Sequence, residues 1–372
     1  MHILVLATEY PPHAAGIGNV ACSVVQQLER MGHRCTVGSP SGRDIRLGSH
    51  DLIKRTGILG MLHFWLQVSR HLNDDGYDAV WIHHPLFLEK MPFGNAVFTM
   101  HTTYHGEYAN RVGSPILWPY KKLSSIIERI CLRKLKAPSP FTVVDPSICH
   151  ELGGVGIQRD LIRCIPNGVD SDIYKPDSKK AEIRARFGLP EEDKIILSLG
   201  RLTPQKRPEL LIDLYSHIEK RSGNVTLAIA GTGELLESVK GRARSRGLER
   251  VFFLGYIPEA DKPGLYACAD YYIMTSQYEG QPLSLLEAMA SGLPCIVSDI
   301  PNLRVVRDAC CGITISLEDL NRDSEVIISY LQGDTFPDSV RAREYVLQHC
   351  DWRLIAERYL KMFEQAAHGR SG

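Results

Sequence analysis

The sequence predicts an α/β protein with two domains, each built on a parallel sheet that helices cover on both faces. Short apolar runs alternate with amphipathic segments along the chain, which is typical of parallel sheets. This alternation occurs in two consecutive series, so we expect two Rossmann-like halves. The 372 residues are enough for two domains of ordinary size.

Twelve apolar runs are predicted as strands, six in each half. Those of the first half are 3–7, 35–38, 79–83, 96–101, 141–144 and 162–165. Those of the second half are 194–200, 225–231, 251–254, 271–274, 295–297 and 312–315. Helical patterns lie between most of them, for example at 20–31, 208–220 and 235–246, and a further one lies at 354–363. The turn-rich string at 166–170 predicts the boundary between domains 1–167 and 168–350, and residues 351–372 are expected to add a C-terminal helix.

Composition excludes several classes of protein. The formal net charge is zero, with 17 Lys and Arg against 13 Asp and Glu up to Asn167, which argues against a nucleic-acid binder. The ten cysteines show no C-x-x-C pair and no zinc-like spacing, so a reducing, cytoplasmic compartment is expected. No apolar stretch reaches the roughly 18 residues that span a membrane. Residues 1–7 have the pattern of a strand rather than of a signal peptide.

Glu279 and Glu287 are the most informative pair, because they lie eight positions apart where a buried strand is predicted to lead into a helix. Pro282 suits the first turn of a helix, since its missing N–H would have no partner there. Backbone N–H groups over 280–283, Pro282 excepted, would be free at the helix start and would favour an anionic phosphate. Two carboxylates beside such a site suit a ligand with phosphates and hydroxyls, such as a sugar nucleotide.

The segment from Glu279 to Asp299 resembles the E-x7-E signature of the family-4 retaining glycosyltransferases. These have the GT-B fold, an α/β fold of two Rossmann-like domains that face each other across a cleft. In that family the first Glu contacts the donor sugar and the second binds the ribose of the nucleotide. For the pattern alone, a surface helix with one capping and one solvated Glu is the alternative. The donor-binding residues that the resemblance implies here are Gly280, Gln281, Pro282, Leu283 and Glu287, with Glu279 as a catalytic residue.

Two cations, Arg201 and Lys206, follow the strand at 194–200 in the pattern G-R-x-x-x-x-K. Cations placed there can neutralise a diphosphate leaving group at the moment when its charge develops. The string resembles the motif with which the family grips the donor diphosphate, so both residues are expected to be catalytic. Two solvated cations at a helix start are the alternative. Family members often have Gly after the Lys, whereas this chain has Arg207, and the sequence leaves the role of Arg207 open.

Glycines follow the next two predicted strands. Gly231 ends the run at 225–231 and Gly233 follows it, and Gly255 and Tyr256 follow the run at 251–254. Both loops resemble family loops that place backbone groups around the nucleotide, and glycine permits such a close approach. Donor contacts are therefore implied at Gly231, Gly233 and Tyr256.

A further glycine pattern, G-x-G-x-x-A, begins at Gly16 and raises a dinucleotide-binding alternative. That fingerprint needs its glycines at the turn after the first strand and an acid at the end of the second. Here about eight residues separate the first strand from Gly16, and the second strand ends without an acid. The loop instead resembles the family's glycine loop, which implies that Gly16 lies over the donor phosphates. Ala15 takes the place of one of the two usual glycines.

His101 ends the predicted strand at 96–101 and matches in place the family histidine that approaches the transferred sugar. We therefore expect it to be catalytic, although a single His at a strand end is more often structural. Its rivals are His13, His83, His84 and His105.

Asp170-Ser-Asp172 spells D-x-D, which holds a metal in the other large glycosyltransferase fold. Here it falls in the expected interdomain linker, where turn chemistry explains it. We therefore expect no metal site.

The segment 118–136 has six Lys and Arg against one acid, Glu128, together with an apolar stripe. An ordinary domain helix with a solvated cationic face is the favoured interpretation. The alternative is a basic amphipathic helix on an anionic bilayer, which would make the protein peripheral on the inner face of the membrane.

The resemblance covers nearly the whole chain. It implies transfer of a sugar, with retained configuration and without a metal or other cofactor, to a hydroxyl of a glycan or lipid-linked acceptor. A UDP-sugar is the expected donor, with GDP- and ADP-sugars as alternatives. A related sugar-nucleotide epimerase or hydrolase, or a non-catalytic nucleotide-sugar-binding subunit, are the competing functions.

Overall fold

The computed structural model describes residues 1–12, 16–135 and 139–368. The predictions at His13, Ala15 and Lys136 therefore lie outside the described residues. The chain divides into two compact units. The first unit comprises Met1–Arg111, Pro115–Gly168 and Trp352–Gly372, and the second comprises Val112–Ser114 and Val169–Asp351.

The first unit contains a seven-stranded sheet in which every pair of neighbours is parallel. Its strands are β1 (His2–Leu6), β2 (Arg34–Ser39), β3 (Ile45–Arg46), β4 (Ala79–His83), β5 (Ala96–Met100), β6 (Phe141–Val143) and β7 (Ile162–Cys164). They lie in the order β3-β2-β1-β4-β5-β6-β7. The two-residue β3 was not predicted, because it is too short to show a pattern.

The second unit contains a six-stranded parallel sheet in the order β10-β9-β8-β11-β12-β13. Its strands are β8 (Lys194–Leu199), β9 (Val225–Ala230), β10 (Val251–Gly255), β11 (Tyr271–Met274), β12 (Cys295–Ser298) and β13 (Gly312–Ile315). In both sheets the chain leaves the first strand in one direction and later returns to its other side. Ligands of open α/β sheets bind at this switch point, beside the carboxyl ends of the strands.

Helices connect the strands. Those of the first unit are α1 (Gly16–Arg30), α2 (His50–Thr56), α3 (Ile58–His71), α4 (Tyr104–Ala109), α5 (Trp118–Lys134), α6 (Pro146–Val155) and α15 (Trp352–His368). Those of the second unit are α7 (Lys180–Phe187), α8 (Pro208–Glu219), α9 (Leu236–Ser245), α10 (Lys262–Cys268), α11 (Leu283–Ala290), α12 (Val305–Asp308), α13 (Leu320–Gln332) and α14 (Phe336–His349).

The central strands are mostly apolar and buried along their whole length, because helices cover both of their faces. All five residues of β4 are buried, and so are all six of β9. In the first unit α15 packs on β4 and β5, where Tyr359 lies 4.6 Å from Trp81 between ring centroids. In the second unit β8 and β11 are hydrogen-bonded neighbours, which brings the two loops that follow them together.

Two helices differ from the expectation. Helix α1 begins at Gly16, so this glycine lies in the first helical turn rather than in a loop. Helix α5 exposes three residues of its predicted apolar stripe, Leu123, Ile126 and Ile130, whereas the other two, Ile127 and Leu135, pack against the core. Its buried residues are Ser124, Ser125, Glu128, Cys131 and Leu132. No helix among the described residues is long and apolar enough to cross a membrane.

Candidate active site

Two loops meet at the switch point of the second sheet. The loop after β8 contains a 3-10 turn over Pro204–Lys206, and the loop after β11 contains Glu279. The side-chain amide of Gln205 donates to the carbonyl of Tyr278 at 2.7 Å, and Gln277 N donates to the carbonyl of Gln205 at 2.8 Å. These hydrogen bonds hold the two predicted motifs at one edge of the sheet.

Lys206 and Glu279 form the direct link between the motifs. Nζ of Lys206 donates to Oε1 of Glu279 at 2.5 Å, and the Glu279 side chain is buried whereas that of Lys206 is partly exposed. Arg201 is exposed and has no ion pair among the residues that the structure describes. This edge of the sheet therefore carries two cations, the ammonium group of Lys206, which Glu279 holds in place, and the guanidinium group of Arg201, which has no ion pair among the described residues. Two cations suit a ligand with more than one negative charge.

Arg207 has a structural role that the sequence did not reveal. Its backbone φ is +50°, in the left-handed region that glycine adopts most readily. A glycine would therefore also suit this position. The guanidinium group donates to the carbonyls of Thr275 and Ser276 at 2.7 and 2.8 Å, so Arg207 fastens the start of α8 to the end of β11.

Gly231 and Gly233 allow the loops after β8 and β9 to touch. A Cβ atom at Gly231 would lie 2.0 Å from the carbonyl oxygen of Gly200, and one at Gly233 would lie 2.4 Å from that of Leu202. Leu202 N also donates to the carbonyl of Thr232 at 2.9 Å. At both glycines the backbone of the loop after β9 therefore lies against the backbone of the loop after β8. Tyr256, in the loop after β10, leaves 70% of its surface exposed.

Glu287 lies in the second turn of α11, which begins at Leu283 with Pro282 as its N-cap residue. The hydroxyl of Tyr266 donates to Oε2 of Glu287 at 2.8 Å. Burial raises the pKa of the Glu287 carboxyl group, and the positive charge of Lys262 opposes that rise. The hydroxyl of Tyr174 is a second hydrogen-bond partner of this carboxylate, so two tyrosines hold Glu287 in a poorly solvated position. Gly280 and Gln281 precede the helix, on the same loop as Glu279.

His101 lies directly after β5 in the first unit and is buried. Its Nε2 is 2.9 Å from Nδ1 of His83, which ends β4, and the two rings stack at an interplanar angle of 12°. Burial lowers the pKa of His101 to about 3 and lowers that of His83 well below its usual value. Both rings are therefore neutral near pH 7 and act as hydrogen-bonding groups rather than as cations.

Two further rival histidines, His84 and His105, contact Glu128, a residue whose role the sequence did not reveal. This fully buried carboxylate of α5 accepts hydrogen bonds from Tyr104 N and His105 N, each at 3.0 Å. It also lies 3.2 Å from Nε2 of His84. Glu128 thus satisfies the N-terminus of α4, where a negative charge is favourable. In the sequence, the only hint of this role was that Glu128 is the one acid of the basic segment 118–136.

Two family models match this chain. Residues 14–173 match the model described as Glycosyltransferase Family 4, and residues 179–346 match the model described as Glycosyl transferases group 1. The two matches cover both units, and the second contains all the motifs of the switch point just described.

The chain belongs to the family-4 type of glycosyltransferases. Several relatives of this glycosyltransferase are matched only in part. Three curated relatives are 32% to 38% identical to this chain, and the match spans only 34% to 42% of the length of each relative. A phosphatidyl-myo-inositol mannosyltransferase of Mycobacterium leprae is 26% identical, and the match covers 94% of each chain.

Solved structures confirm the predicted GT-B fold of this glycosyltransferase. WaaG, a glycosyltransferase involved in lipopolysaccharide biosynthesis, superposes with a TM-score of 0.79 at 18% identity, over 97% of this chain and 99% of its own. HepE of Anabaena, in complex with UDP and glucose, gives 0.74 at 17% identity, over 98% and 100% of the two chains. At these identities the likeness is one of fold.

The D-x-D string of this glycosyltransferase forms a turn. Oδ1 of Asp170 accepts hydrogen bonds from the backbone N of Asp172 and of Ile173, each at 3.1 Å. Within the described ranges no cluster of three or more His, Cys, Asp or Glu side chains is arranged to hold a metal ion.

A separate cavity of about 720 Å³ lies at the amino ends of β8 and β11, away from the switch-point loops, and is lined by residues that include Lys194, Tyr271 and Phe336.

Proposed function

We propose that this protein transfers a sugar, with retained configuration, from a nucleotide-diphosphate sugar to a hydroxyl of a glycan or lipid-linked acceptor. The observation that supports this most directly is the ion pair between Lys206 and Glu279. It joins the G-R-x-x-x-x-K and E-x7-E motifs at the carboxyl edge of one parallel sheet, at its switch point.

Arg201 and Lys206 are proposed to bind the donor diphosphate and to stabilise it as it leaves. The bond between the anomeric carbon and the diphosphate oxygen breaks, and the bonding electrons stay on the phosphate. The acceptor hydroxyl oxygen bonds to the anomeric carbon on the face that the diphosphate leaves, and a phosphate oxygen takes the hydroxyl proton. Cations fixed beforehand at that position stabilise the transition state without a cost of reorganisation. The fixed position of Lys206 supports this role, because its ion pair with Glu279 and the hydrogen bond from Gln205 to Tyr278 hold its loop in place.

Glu279 and the backbone from Gly280 to Leu283 are proposed to orient the donor sugar. The first turn of a helix has N–H groups without intrahelical partners, and α11 begins at Leu283. Glu287 is proposed to accept hydrogen bonds from the ribose hydroxyls, beside the hydroxyl of Tyr266. Gly231, Gly233 and Tyr256 belong to the adjoining loops and are proposed to line the nucleotide.

His101 is proposed to contact the transferred sugar as a neutral ring. A ring whose pKa is about 3 cannot act as a cation at neutral pH, but it can donate or accept one hydrogen bond through the nitrogen that His83 leaves available. Gly16 is proposed to lie near the donor phosphates, and its position at the start of α1 is compatible with that role.

A UDP-sugar is the proposed donor, and no metal ion takes part. The fold-level likeness to HepE, whose structure contains UDP and glucose, supports this choice over GDP- or ADP-sugars. The likeness in sequence to a phosphatidyl-myo-inositol mannosyltransferase supports an acceptor attached to a lipid. The ten free cysteines support a reducing, cytoplasmic location.

The test incubates the protein with UDP-, GDP- and ADP-sugars in EDTA and follows nucleotide release with and without glycan and lipid-linked acceptors. The proposal predicts release that an acceptor accelerates, and a product that keeps the anomeric configuration of the donor by NMR. Equal release without any acceptor would instead indicate an epimerase or hydrolase. Donor binding without turnover on any acceptor would indicate a binding subunit.

A further inference from the structure

The cavity of about 720 Å³ in the second unit lies at the edge of the sheet opposite to the donor motifs. Lys194 begins β8 and Tyr271 begins β11, and both residues line the cavity. The motifs that contain Arg201 and Glu279 follow the carboxyl ends of the same two strands. A cavity of this size encloses most of a small organic molecule. Because the two sites lie at opposite ends of these strands, both can be occupied at the same time.

Helix α14 provides an apolar wall of this cavity. Phe336, Val340 and Leu347 line it and leave 72%, 39% and 42% of their surface exposed. At about 100° per residue these three side chains lie within about 40° of one another on the helix. Leu293, in the turn between α11 and β12, also lines the cavity and is buried. This wall favours a ligand with an apolar body, because such a body removes the exposed side chains from water.

Ser291 adds a buried hydroxyl group to the lining of the cavity. It is the C-cap residue of α11 and is 3% exposed. Its Oγ has no hydrogen-bond partner among the residues that the structure describes. A hydroxyl group that is buried without a partner is unfavourable. Ser291 therefore favours a ligand that carries a polar atom as well as an apolar body.

Two partly buried cations line the same cavity. The ammonium group of Lys194 donates to the carbonyl of Leu331. The guanidinium group of Arg343 donates to backbone carbonyls, including those of Tyr174 and Ser171 at 3.0 and 3.2 Å. Neither cation forms an ion pair within the part of the chain that the structure describes. Carbonyl groups leave both positive charges without a counter-charge, so the cavity favours an anionic group.

The acids of the cavity are either paired or solvated. Asp193 and Asp270 are both held in ion pairs with arginine side chains. Glu192 and Glu344 are exposed, so water and salt screen their charges. These two exposed acids would repel a doubly charged phosphate more strongly than a singly charged carboxylate. The charges around the cavity therefore favour a carboxylate.

We propose that this cavity binds a small amphipathic carboxylate. Its apolar body lies against Phe336 and Val340, and its carboxylate lies towards Lys194 and Arg343. A stable protein interface buries about 800 Å² on each partner, whereas this wall consists of three side chains beside a concave site. The inference goes beyond the proposed function, because the cavity lies outside the donor edge and its ligand does not take part in sugar transfer.

Calorimetric titration of the full-length protein tests this site with two carboxylates, decanoate and naphthoate, below the concentration at which decanoate forms micelles. The two probes distinguish an acyl chain from an aromatic body, and decanol is the matched ligand without a charge. Lys194→Met removes a cation, Ser291→Ala removes the unpartnered hydroxyl and Ser339→Trp fills the cavity. Lys220→Met, at the exposed end of α8, is the control for Lys194→Met. Circular dichroism establishes which variants are folded.

We expect one or both carboxylates to bind at a single site, and decanol to bind at least about tenfold more weakly than decanoate. Lys194→Met should weaken the binding of carboxylate about tenfold and leave that of decanol unchanged. Ser291→Ala should weaken it about threefold, and this loss cannot come from a broken contact within the protein. Ser339→Trp should abolish binding, and Lys220→Met should have no effect. Saturating UDP should displace neither probe.

The proposal is overturned if neither carboxylate binds, or if decanol binds as tightly as decanoate. Unchanged binding in a folded Ser339→Trp, or equal affinities in Lys194→Met and Lys220→Met, would also overturn it. Displacement by UDP would place the probes at the donor edge instead. A dimer that Phe336→Ala converts to a monomer would assign this face to a second copy of the chain. Absence of sugar transfer in a protein that binds the carboxylate would refute only the proposed function.

Discussion

Nδ1 of His83 lies 2.9 Å from Nε2 of His101, and the two buried rings are stacked at the ends of adjacent parallel strands. One nitrogen of each ring is engaged in this contact, so His83 fixes the orientation of the His101 ring. The low pKa values of both rings follow from their burial and give the first testable consequence.

The first unit is predicted to lose stability as pH falls. In the unfolded chain both histidines titrate near 6.5, whereas in the folded state the pKa of His101 is about 3. The unfolded state therefore binds more protons below pH 6.5, and this contribution to the free energy of unfolding is lost progressively as pH falls towards 3. Each histidine adds up to about 1.4 kcal/mol per pH unit in that window.

Urea unfolding at pH 7, 6 and 5 checks this prediction. Tryptophan fluorescence reports on the first unit alone, because all four tryptophans lie in it. His101→Gln is expected to reduce the dependence of stability on pH, and the exposed His71→Gln is expected to leave it unchanged. An identical pH dependence in the unchanged protein and His101→Gln would contradict the burial argument.

Glu287→Gln is predicted to stabilise the free protein and to weaken its binding to nucleotide. Burial raises the pKa of this carboxyl group, so the folded state holds its proton more tightly than the unfolded chain does. The free energy of unfolding therefore falls as pH rises from about 4.3, the ordinary Glu value, through the raised folded value.

The Glu287→Gln substitution should raise the melting temperature at pH 8 by about 2 °C and have little effect below about pH 4.3. Loss of one hydrogen bond to a charged group should lower nucleotide affinity about tenfold. Calorimetry at both pH values, together with a nucleotide titration, measures the two effects. A variant that binds nucleotide as tightly as the unchanged protein would remove Glu287 from the site.

Arg201→Ala and Lys206→Ala are predicted to lower kcat by about 10²-fold or more, with a smaller effect on donor affinity. Cations that act on the leaving group stabilise charge that develops only in the transition state. Arg244→Ala, which removes an exposed Arg of α9, is the control. Steady-state kinetics of nucleotide release separates the two constants. Unchanged turnover in both cation variants would refute the leaving-group role.

Gly233→Ala is predicted to destabilise the second unit by about 2 kcal/mol or more, because the new methyl group would overlap the backbone of Leu202. Gly223→Ala is the matched control, since a Cβ atom there meets nothing within 4 Å and its φ is not positive. Chemical unfolding followed by circular dichroism compares the two. Equal stability of both variants would show that the loops after β8 and β9 can separate without cost.

The strands and the edge at which the motifs meet could be predicted because both follow from local pattern. Fully buried parallel strands are runs made mostly of apolar residues, and residues that follow neighbouring parallel strands must share one edge of the sheet. Arg201, Lys206 and Glu279 were placed by this reasoning.

Other features depend on contacts between distant residues, which a local pattern does not contain. The left-handed backbone of Arg207 is stabilised by carbonyls of Thr275 and Ser276, and the inward face of α5 is chosen by the start of α4. The amphipathic pattern of α5 alone favoured burying its apolar stripe. The buried Glu128 reverses that choice for most of the stripe, because its hydrogen bonds form only after the chain has folded.

The most direct test of the donor site is a thermal-shift panel with UDP, GDP, ADP and their common sugars in EDTA. It compares the unchanged protein, Glu287→Ala and the control Glu325→Ala, which removes an exposed acid of α13. A ligand that binds only the folded state raises its apparent stability. We predict a shift with the uridine nucleotides that survives in the control and is largely lost in Glu287→Ala. No shift at millimolar concentration with any nucleotide, or an equal shift in all three proteins, would contradict a donor site at this edge of the second sheet.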